Sequence, residues 1–288
     1  MRIKHIETKQ EIEQVTHMKA SSEDQNQFLV EQLKNHTIAL DQVMIAVLHN
    51  KVVARALCMK HGMYLLTFED EIQYDDAVCF LQACISKVEQ KEIELHLYSD
   101  KQNYQFTFDA LISAGFKVQQ EKYSYTLHPT INSHTLLAYP CSNHNKQTWV
   151  DAFIRVGSNH LDVSMQRDID RYGIERASEI LYEVLLENQP DEAAWLCAQV
   201  DGHCVGFVIV SQLTRTQAGI SYICVFPEYR GKHYATMLLL IASNYCVEHG
   251  YDLLIADTDI HNIPMQHALK YANFTYSCKE VVLVYNED

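Results

Sequence analysis

Two hydrophobic periodicities alternate along the chain, and their order repeats. Runs of period two predict strands; apolar residues three and four apart predict helices. A helical pattern covers 7–20, where Thr8 and Glu11 stand at capping-box spacing. Strands are predicted over 44–50, 52–61 and 63–68, followed by an amphipathic helix over 75–90. A strand over 93–99, a helix over 106–114 and a strand over 122–128 complete the first half. The second half opens with helices over 145–157 and 165–188. Strands over 193–200, 204–213 and 218–226 follow, then a helix over 234–250 that Gly250 stops. A strand (251–259), a helix (264–272) and a last strand (280–286) close the chain.

The halves also align by residue. Ala46 falls on Ala198, Asn50 on Gly202 and Val53 on Val205, so both halves place a polar hairpin turn between β-branched runs. Further on, "DALISAGF" (109–116) matches "HALKYANF" (267–274), with Ala110 on Ala268 and Phe116 on Phe274. The second half has extra residues between these two matches. The clearest break is 125–147, with Pro129 and Pro140 among Ser, Asn and Thr. The sequence therefore predicts two related domains, 1–130 and 131–288. Each is a mixed α/β unit with a mostly antiparallel sheet flanked by helices.

Composition narrows the chemistry. At 288 residues and 48% hydrophobic the chain can bury a core, and its net charge of −14 argues against nucleic acid and anionic membrane as partners. No apolar run reaches the roughly 18 residues of a membrane span. Nine scattered cysteines without a C-x-x-C pair, and no secretory segment, point to the reducing cytoplasm, with most thiols acting as small core residues. The fifteen histidines show no helical H-x-x-x-H or H-E-x-x-H pair, so no metal is expected.

Residues 220–243, "ISYICVFPEYRGKHYATMLLLIAS", join a strand, a basic turn and a helix. The first turn of a helix has unpaired N–H groups and partial positive charge, and Arg230 and Lys232 add full charges beside it. Such a turn suits a phosphate.

That order, with Val225-Phe226-Pro227 ending the strand and Arg230-Gly231-Lys232-His233-Tyr234-Ala235 forming the loop, resembles the GNAT superfamily of N-acetyltransferases. Arg230 and Ala235 match the family's acetyl-CoA motif, while His233 stands where its first glycine is expected. Asn262 and Asn273-Phe274 hold the places of the family's later Asn and Gly-Phe. The resemblance is clear over 190–288, weaker over 145–190, and confined to element order over 1–130. It implies acetyl-CoA as cofactor. The N–H groups of 231–235 would cradle its pyrophosphate with Arg230 and Lys232. The strand edge at Ile223, Cys224 and Val225 would pair with the pantetheine amides, and Asn262 would contact the pantetheine. Gly231, His233, Tyr234 and Ala235 thus join the cofactor-binding set, with His233 tolerated in a helical first turn, its side chain pointing out. The first half reads "TFEDEIQYDDAV" at the corresponding place, an acidic stretch that would repel a pyrophosphate, with Asp75 or Asp76 as N-cap. One cofactor site is therefore expected.

Catalytic residues are not fixed by the sequence. The family often has a Tyr seven residues after its Asn, which here is Leu269, while Tyr271 is rotated about 200° away along the helix. Tyr222 and Ser221 on the strand, Asp257 and Asp259 at the next strand end, and Glu175 and Glu179 on the preceding helix are further candidates. The acceptor is expected to be an amine, on a small molecule or a peptide. The second half has ten Lys and Arg against nineteen Asp and Glu, a balance of −9 that favours a cationic one. A CoA-binding sensor without catalysis and a transferase of longer acyl or aminoacyl groups stay open, as does a homodimer.

Overall fold

In the computed structural model, residues 1–133, 136–140, 145–157 and 161–286 are described. Parts of the proline-containing break, 134–135 and 141–144, lie outside them. The chain divides into two compact units: Met1–Glu121 with Lys279–Asp288, and Lys122–Cys278. The expected domains 1–130 and 131–288 differ from these units over 122–130 and 279–288. The reason is hydrogen bonding: compactness follows strand pairing, and the last strand of each half runs partly with the other unit.

The first unit opens with β1 (Arg2–His5), α1 (Lys9–Val15), α2 (Glu23–Lys34), β2 (Val43–Leu48), β3 (Lys51–Met59) and β4 (Gly62–Phe68). It continues with α3 (Tyr74–Ile85), β5 (Glu92–Tyr98), α4 (Tyr104–Ser113) and the start of β6 (Lys117–Leu127). The Thr8–Glu11 capping box forms as the sequence predicts, but the helix stops at Val15. Strands β1 to β4 make an antiparallel sheet in that order. Successive residues of β2 face opposite cores: Met44 and Ala46 pack with α3 and α4, whereas Val43, Ile45 and Val47 pack against Leu29 of α2 and Val15 of α1. Burial on both faces explains why these strands read as nearly continuous apolar runs. Helix α2 escapes the sequence pattern because Leu29 is its single buried residue.

The second unit contains the end of β6, β7 (Leu137–Pro140), α5 (Lys146–Gly157), α6 (Val163–Tyr172) and α7 (Ile174–Asn188). Strands β8 (Trp195–Val200), β9 (His203–Gln212) and β10 (Gln217–Val225) lead to α8 (Tyr234–Glu248), β11 (Leu253–Asp259), α9 (Ile263–Tyr271) and the start of β12 (Thr275–Asn286). The helix expected over 165–188 is two helices, parted at Gly173, whose φ of 79° and ψ of 157° no helix accommodates. The sheet order is β6-β11-β10-β9-β8-β7. Val208 and Val210 of β9 face α8 and α9, while Phe207 and Ile209 face an aromatic layer built on Trp149, Phe153 and Trp195.

The internal repeat extends to backbone geometry. The β2–β3 turn has His49 and Asn50 in the left-handed region, and the β8–β9 turn has Asp201 and Gly202 there, as a type I′ hairpin needs. After α4 and α9, Gly115 and Asn273 are left-handed, and the N–H groups of Phe116 and Phe274 return to the carbonyls of Leu111 and Leu269, each at 3.0 Å. Asn replaces Gly at 273 because it is among the side chains that tolerate this conformation.

The far half of β12 pairs antiparallel with β5 in the first unit, Glu280 opposite Tyr98 and Val282 opposite His96. The His96 imidazole lies 2.5 Å from the Glu280 carboxylate through Nδ1 and 3.1 Å from Glu94 through Nε2. Hydrogen bonding to Glu280, then to Glu94, pushes His96 up to about 9. A folded-state value above the usual 6.5 stabilises this strand pair fully below pH 6.5, and the contribution disappears as pH rises through 9. In thermal unfolding, the native chain should therefore lose its advantage over a His96→Gln variant between pH 7 and 9.5. A difference that stays constant over that range contradicts this role.

Candidate acyl-CoA site

The opening beside β10 lies where one of its two edges loses its strand partner. On one edge β10 is paired with β9 from Ala218 to Val225. On the other it is paired with β11, in parallel, only from Gln217 to Gly219. Beyond Gly219 that second edge has no strand partner among the described residues, while β11 stays paired with β6 on its other edge from Leu254 to Asp259. The register with β9 shifts between Ile220 and Tyr222, marking a bulge at Ser221.

After β10, a short turn at Pro227–Tyr229 leads to Gly231, whose φ of 77° is left-handed. His233 is the N-cap of α8 and is also left-handed, at φ 60°. Its expected place in a helical first turn is thus corrected: the backbone there has the conformation that glycine adopts freely. The ring consequently turns toward α9 and meets Tyr271 edge-on, with centroids 5.9 Å apart. No side chain caps α8, so the donors of its first turn remain available.

The unpartnered edge, this helix start and one face of α9 enclose a cavity of about 610 Å³. Of the residues expected to hold a cofactor, Ile223, Cys224, Val225, Arg230, Gly231, His233, Tyr234, Ala235 and Asn262 line it. Lys232 does not; its ammonium lies 5.9 Å from the Tyr229 ring. The Arg230 side chain is partly engaged, its Nε donating to the Val225 carbonyl at 3.1 Å. Asn262 is the N-cap of α9, its Oδ1 accepting from the Met265 N–H at 3.2 Å. None of the lining residues is Asp or Glu, in a chain with 37 of them. The wall also includes Val156, Leu161, Pro264 and His267, which sequence reasoning missed. The α9 residues were within reach: 264, 267, 268 and 271 share one face at helical spacing.

The catalytic candidates are dispersed. Tyr271, expected to face away, lines the cavity, because the core side of α9 is taken by Leu269. It lies beside His233 at the helix start. Ser221 Oγ is 2.5 Å from Ser211 Oγ. Asp257 accepts a hydrogen bond from Ser124, and Asp259 is buried and accepts from the His261 N–H at 2.8 Å. Glu179 pairs with Arg176 at 2.7 Å, and Glu175 is exposed at the start of α7. Neither lines the cavity. Tyr222 does not line it either. Its ring stacks on Phe207, centroids 5.7 Å apart, and meets Phe153 edge-on, while burial pushes the phenol well above its usual range. The hydroxyl is buried without a hydrogen-bond partner. Tyr222→Phe should therefore raise or preserve the melting temperature, since an unsatisfied buried hydroxyl costs about 1–3 kcal/mol. Turnover should stay within about threefold; a loss near the 10²–10⁴ scale of proton-transfer catalysis would restore Tyr222 as the acid.

At the corresponding region of the first unit, side chains pack on one another. Phe106 of α4 packs edge-on against Phe68 and Tyr74, and the Tyr74 hydroxyl donates to the Asp109 carbonyl at 2.9 Å. Asn103 donates to the Phe68 carbonyl at 3.0 Å and to Asp70 at 2.9 Å, tying the end of β4 to the start of α4. The N-cap of α3 is Gln73 rather than Asp75 or Asp76, which sit in the first turn and satisfy the helix dipole themselves.

Residues 163–274 match the acetyltransferase (GNAT) family. This segment is a GNAT domain. It contains α6 to α9, β8 to β11 and the whole basic turn. Solved structures extend the likeness of fold to the full chain. A GCN5-related N-acetyltransferase from Sphaerobacter thermophilus is 12% identical with a TM-score of 0.61, covering 90% of this chain and 85% of that one. A GNAT-family acetyltransferase from Colwellia psychrerythraea is 15% identical over 100% of both chains, TM-score 0.54. A tandem GNAT protein from the clavulanic acid biosynthesis pathway is 12% identical, TM-score 0.55, covering 99% and 98%. No curated protein matches. The N-terminal half thus shares the GNAT fold, and family and fold together indicate an acyltransferase that uses acyl-CoA. Among the described residues, no helix is long and apolar enough to cross a membrane and no cluster suits a metal ion. Among the described residues, five of seven free cysteines are buried, and Cys197 is disulfide-bonded.

Proposed function

We propose that the chain transfers an acetyl group from acetyl-CoA directly to an amine, through one site in its GNAT domain. The observation that carries this reading is the cavity where the uncapped start of α8 meets the unpartnered edge of β10. The residues fit the cofactor. The donors of Tyr234 and Ala235, with Gly231 and Arg230 beside them, suit a pyrophosphate. Open space surrounds Gly231, where a Cβ would meet nothing within 4 Å. The free edge at 223–225 offers amide pairing to pantetheine as an added strand would. When bound, acetyl-CoA supplies the activated thioester carbonyl, and the chain's own groups orient it and neutralise its phosphates. An amine that arrives neutral attacks the thioester carbonyl, the C–S bond breaks, and the excess amine proton passes to the departing CoA thiolate without a dedicated acid, in keeping with the dispersed candidates.

The excess of acidic over basic residues in the second half supports a cationic acceptor, a small molecule or a peptide N-terminus. A second reading, a CoA-binding sensor without catalysis, is favoured by Leu269, which is 1% exposed where the family often has a tyrosine. Calorimetry of the full chain should give one acetyl-CoA per chain, because the first unit has an acidic stretch where the second has its basic turn. Screening polyamines, aminoglycosides, amino acids and peptides for CoA release should then reveal turnover that weakens as salt rises. Two equivalent sites contradict the single-site reading, binding without release on any amine favours the sensor, and turnover of neutral or acidic acceptors alone removes the cationic one.

A further inference from the structure

We infer that Arg155 is a positioning residue for the cofactor: it holds the Glu228 carboxylate off the phosphates, so that the basic turn keeps its positive charge. The inference rests on the acyl-CoA reading above and adds to it a residue outside the cavity wall. Three features carry it. First, Glu228 is the one acidic residue in 226–235, two positions before Arg230. A carboxylate there opposes the charge that a pyrophosphate needs. Second, Glu228 is kept out of the cavity. It belongs to the turn Pro227–Tyr229, and Tyr229 and Arg230 line the wall while Glu228 does not. Its carboxylate pairs instead with the Arg155 guanidinium of α5. Third, Arg155 is itself fixed. Its guanidinium lies over the Phe226 ring, 4.0 Å from the centroid, and that ring is buried at the end of β10. A planar guanidinium can hold a ring face and a carboxylate at once.

Arg155 stands in the last turn of α5, one residue before Val156, which lines the cavity. The guanidinium thus ties the end of α5 to the start of the basic turn. Across the turn, Arg230 has its Nε on the Val225 carbonyl, which leaves its terminal N–H groups for an anion. A Glu228 carboxylate released from Arg155 competes with phosphate for those groups. Both partners of the pair are about half exposed, at 46% and 48%, and such a pair adds little to stability. Its loss should therefore register in anion binding and not in the fold.

The test is calorimetric titration of the full chain with acetyl-CoA, at low and at raised salt, with a thermal melt of each variant. Arg155→Met removes the charge and keeps an apolar stem on Phe226. It should weaken acetyl-CoA about three- to tenfold at low salt, by a factor that shrinks as salt rises. Its melting temperature should stay within about 3 °C of the native one. Glu228→Gln should bind acetyl-CoA at least as tightly as the native chain. The double variant Arg155→Met, Glu228→Gln should return to within about twofold of native binding, because the released carboxylate is gone. Lys146→Met is the control for net charge. It removes one cation at the far end of α5, where Lys146 pairs with Glu183, and should leave binding within about twofold. Native affinity in Arg155→Met overturns the inference. A double variant as weak as Arg155→Met overturns it too, since Arg155 would then act on the phosphates itself. A Lys146→Met loss as large as that of Arg155→Met reduces the effect to net charge, and a collapsed melting temperature assigns Arg155 to the fold; either result overturns it. All four outcomes leave the acyltransferase reading intact. Failure of the native chain to bind acetyl-CoA overturns that reading, and this one with it.

Discussion

Gly206→Ala should unfold the GNAT domain at a markedly lower temperature and abolish acyl-CoA binding with it. Gly206 lies on β9 opposite Val225, under the strand whose free edge forms one wall of the cavity. A Cβ there would stand 2.2 Å from the Cys224 carbonyl oxygen and 3.0 Å from the Val225 Cα. Both are backbone atoms, so no side chain can swing aside. Relief requires β9 and β10 to separate where Phe226 N–H donates to the Val205 carbonyl at 3.0 Å. Overpacking of this kind costs about 1–3 kcal/mol and more where backbone must move. For a domain of this size that is a fall of roughly 2–12 °C in melting temperature. Calorimetric melting with and without acetyl-CoA checks both effects. Native stability together with native affinity would show that the strands absorb the methyl and that their spacing does not set the site.

The second large effect is expected at the basic turn. Arg230→Ala should raise the KM for acetyl-CoA by the equivalent of about 1–3 kcal/mol, the scale of a lost charge-assisted hydrogen bond, and leave the acceptor KM nearly unchanged. Gly231→Pro should be more severe, for two reasons. Proline fixes φ near −65°, which the observed 77° cannot match, and it removes an N–H at the cradle. Gly231→Ala is the control. Its methyl has open space, so it incurs only the left-handed backbone strain, about 1–2 kcal/mol. Steady-state kinetics varying acetyl-CoA and acceptor separately distinguish the three. If all leave the acetyl-CoA KM as it was, the turn is an ordinary surface loop and the acetyltransferase reading loses its main support.

Much of this was legible from local pattern. The hairpin turns at Asn50 and Gly202, the cap at Thr8 and the left-handed helix ends at Gly115 and Asn273 are set by residues within a few positions of one another, where sequence and backbone are tightly coupled. The basic turn was legible for the same reason, since a strand end, Pro227, Arg230, Gly231 and a helix start are contiguous. The wall of α9 was half legible: its helical spacing was visible, but not which side would face the cavity. Counting from Asn262 pointed away from Tyr271. The core instead claimed Leu269, because an aliphatic residue gains more from burial than a tyrosine whose hydroxyl needs a partner.

By itself, then, the sequence determined the kind and order of most elements, though not β1, α2, β7 or the break at Gly173, together with their duplication and the chemistry of one phosphate-suited turn. These depend on local propensity, periodicity and contiguous residues. The tertiary structure alone decided that the units are built from exchanged strand ends, that pairing of β10 with β11 ends at Gly219, and that Asn103 bonds to the end of β4 while Phe106 packs on Tyr74. Each of those outcomes is a choice among distant partners of similar local character. Hydrogen-bond ladders and side-chain packing make that choice only once the chain is folded.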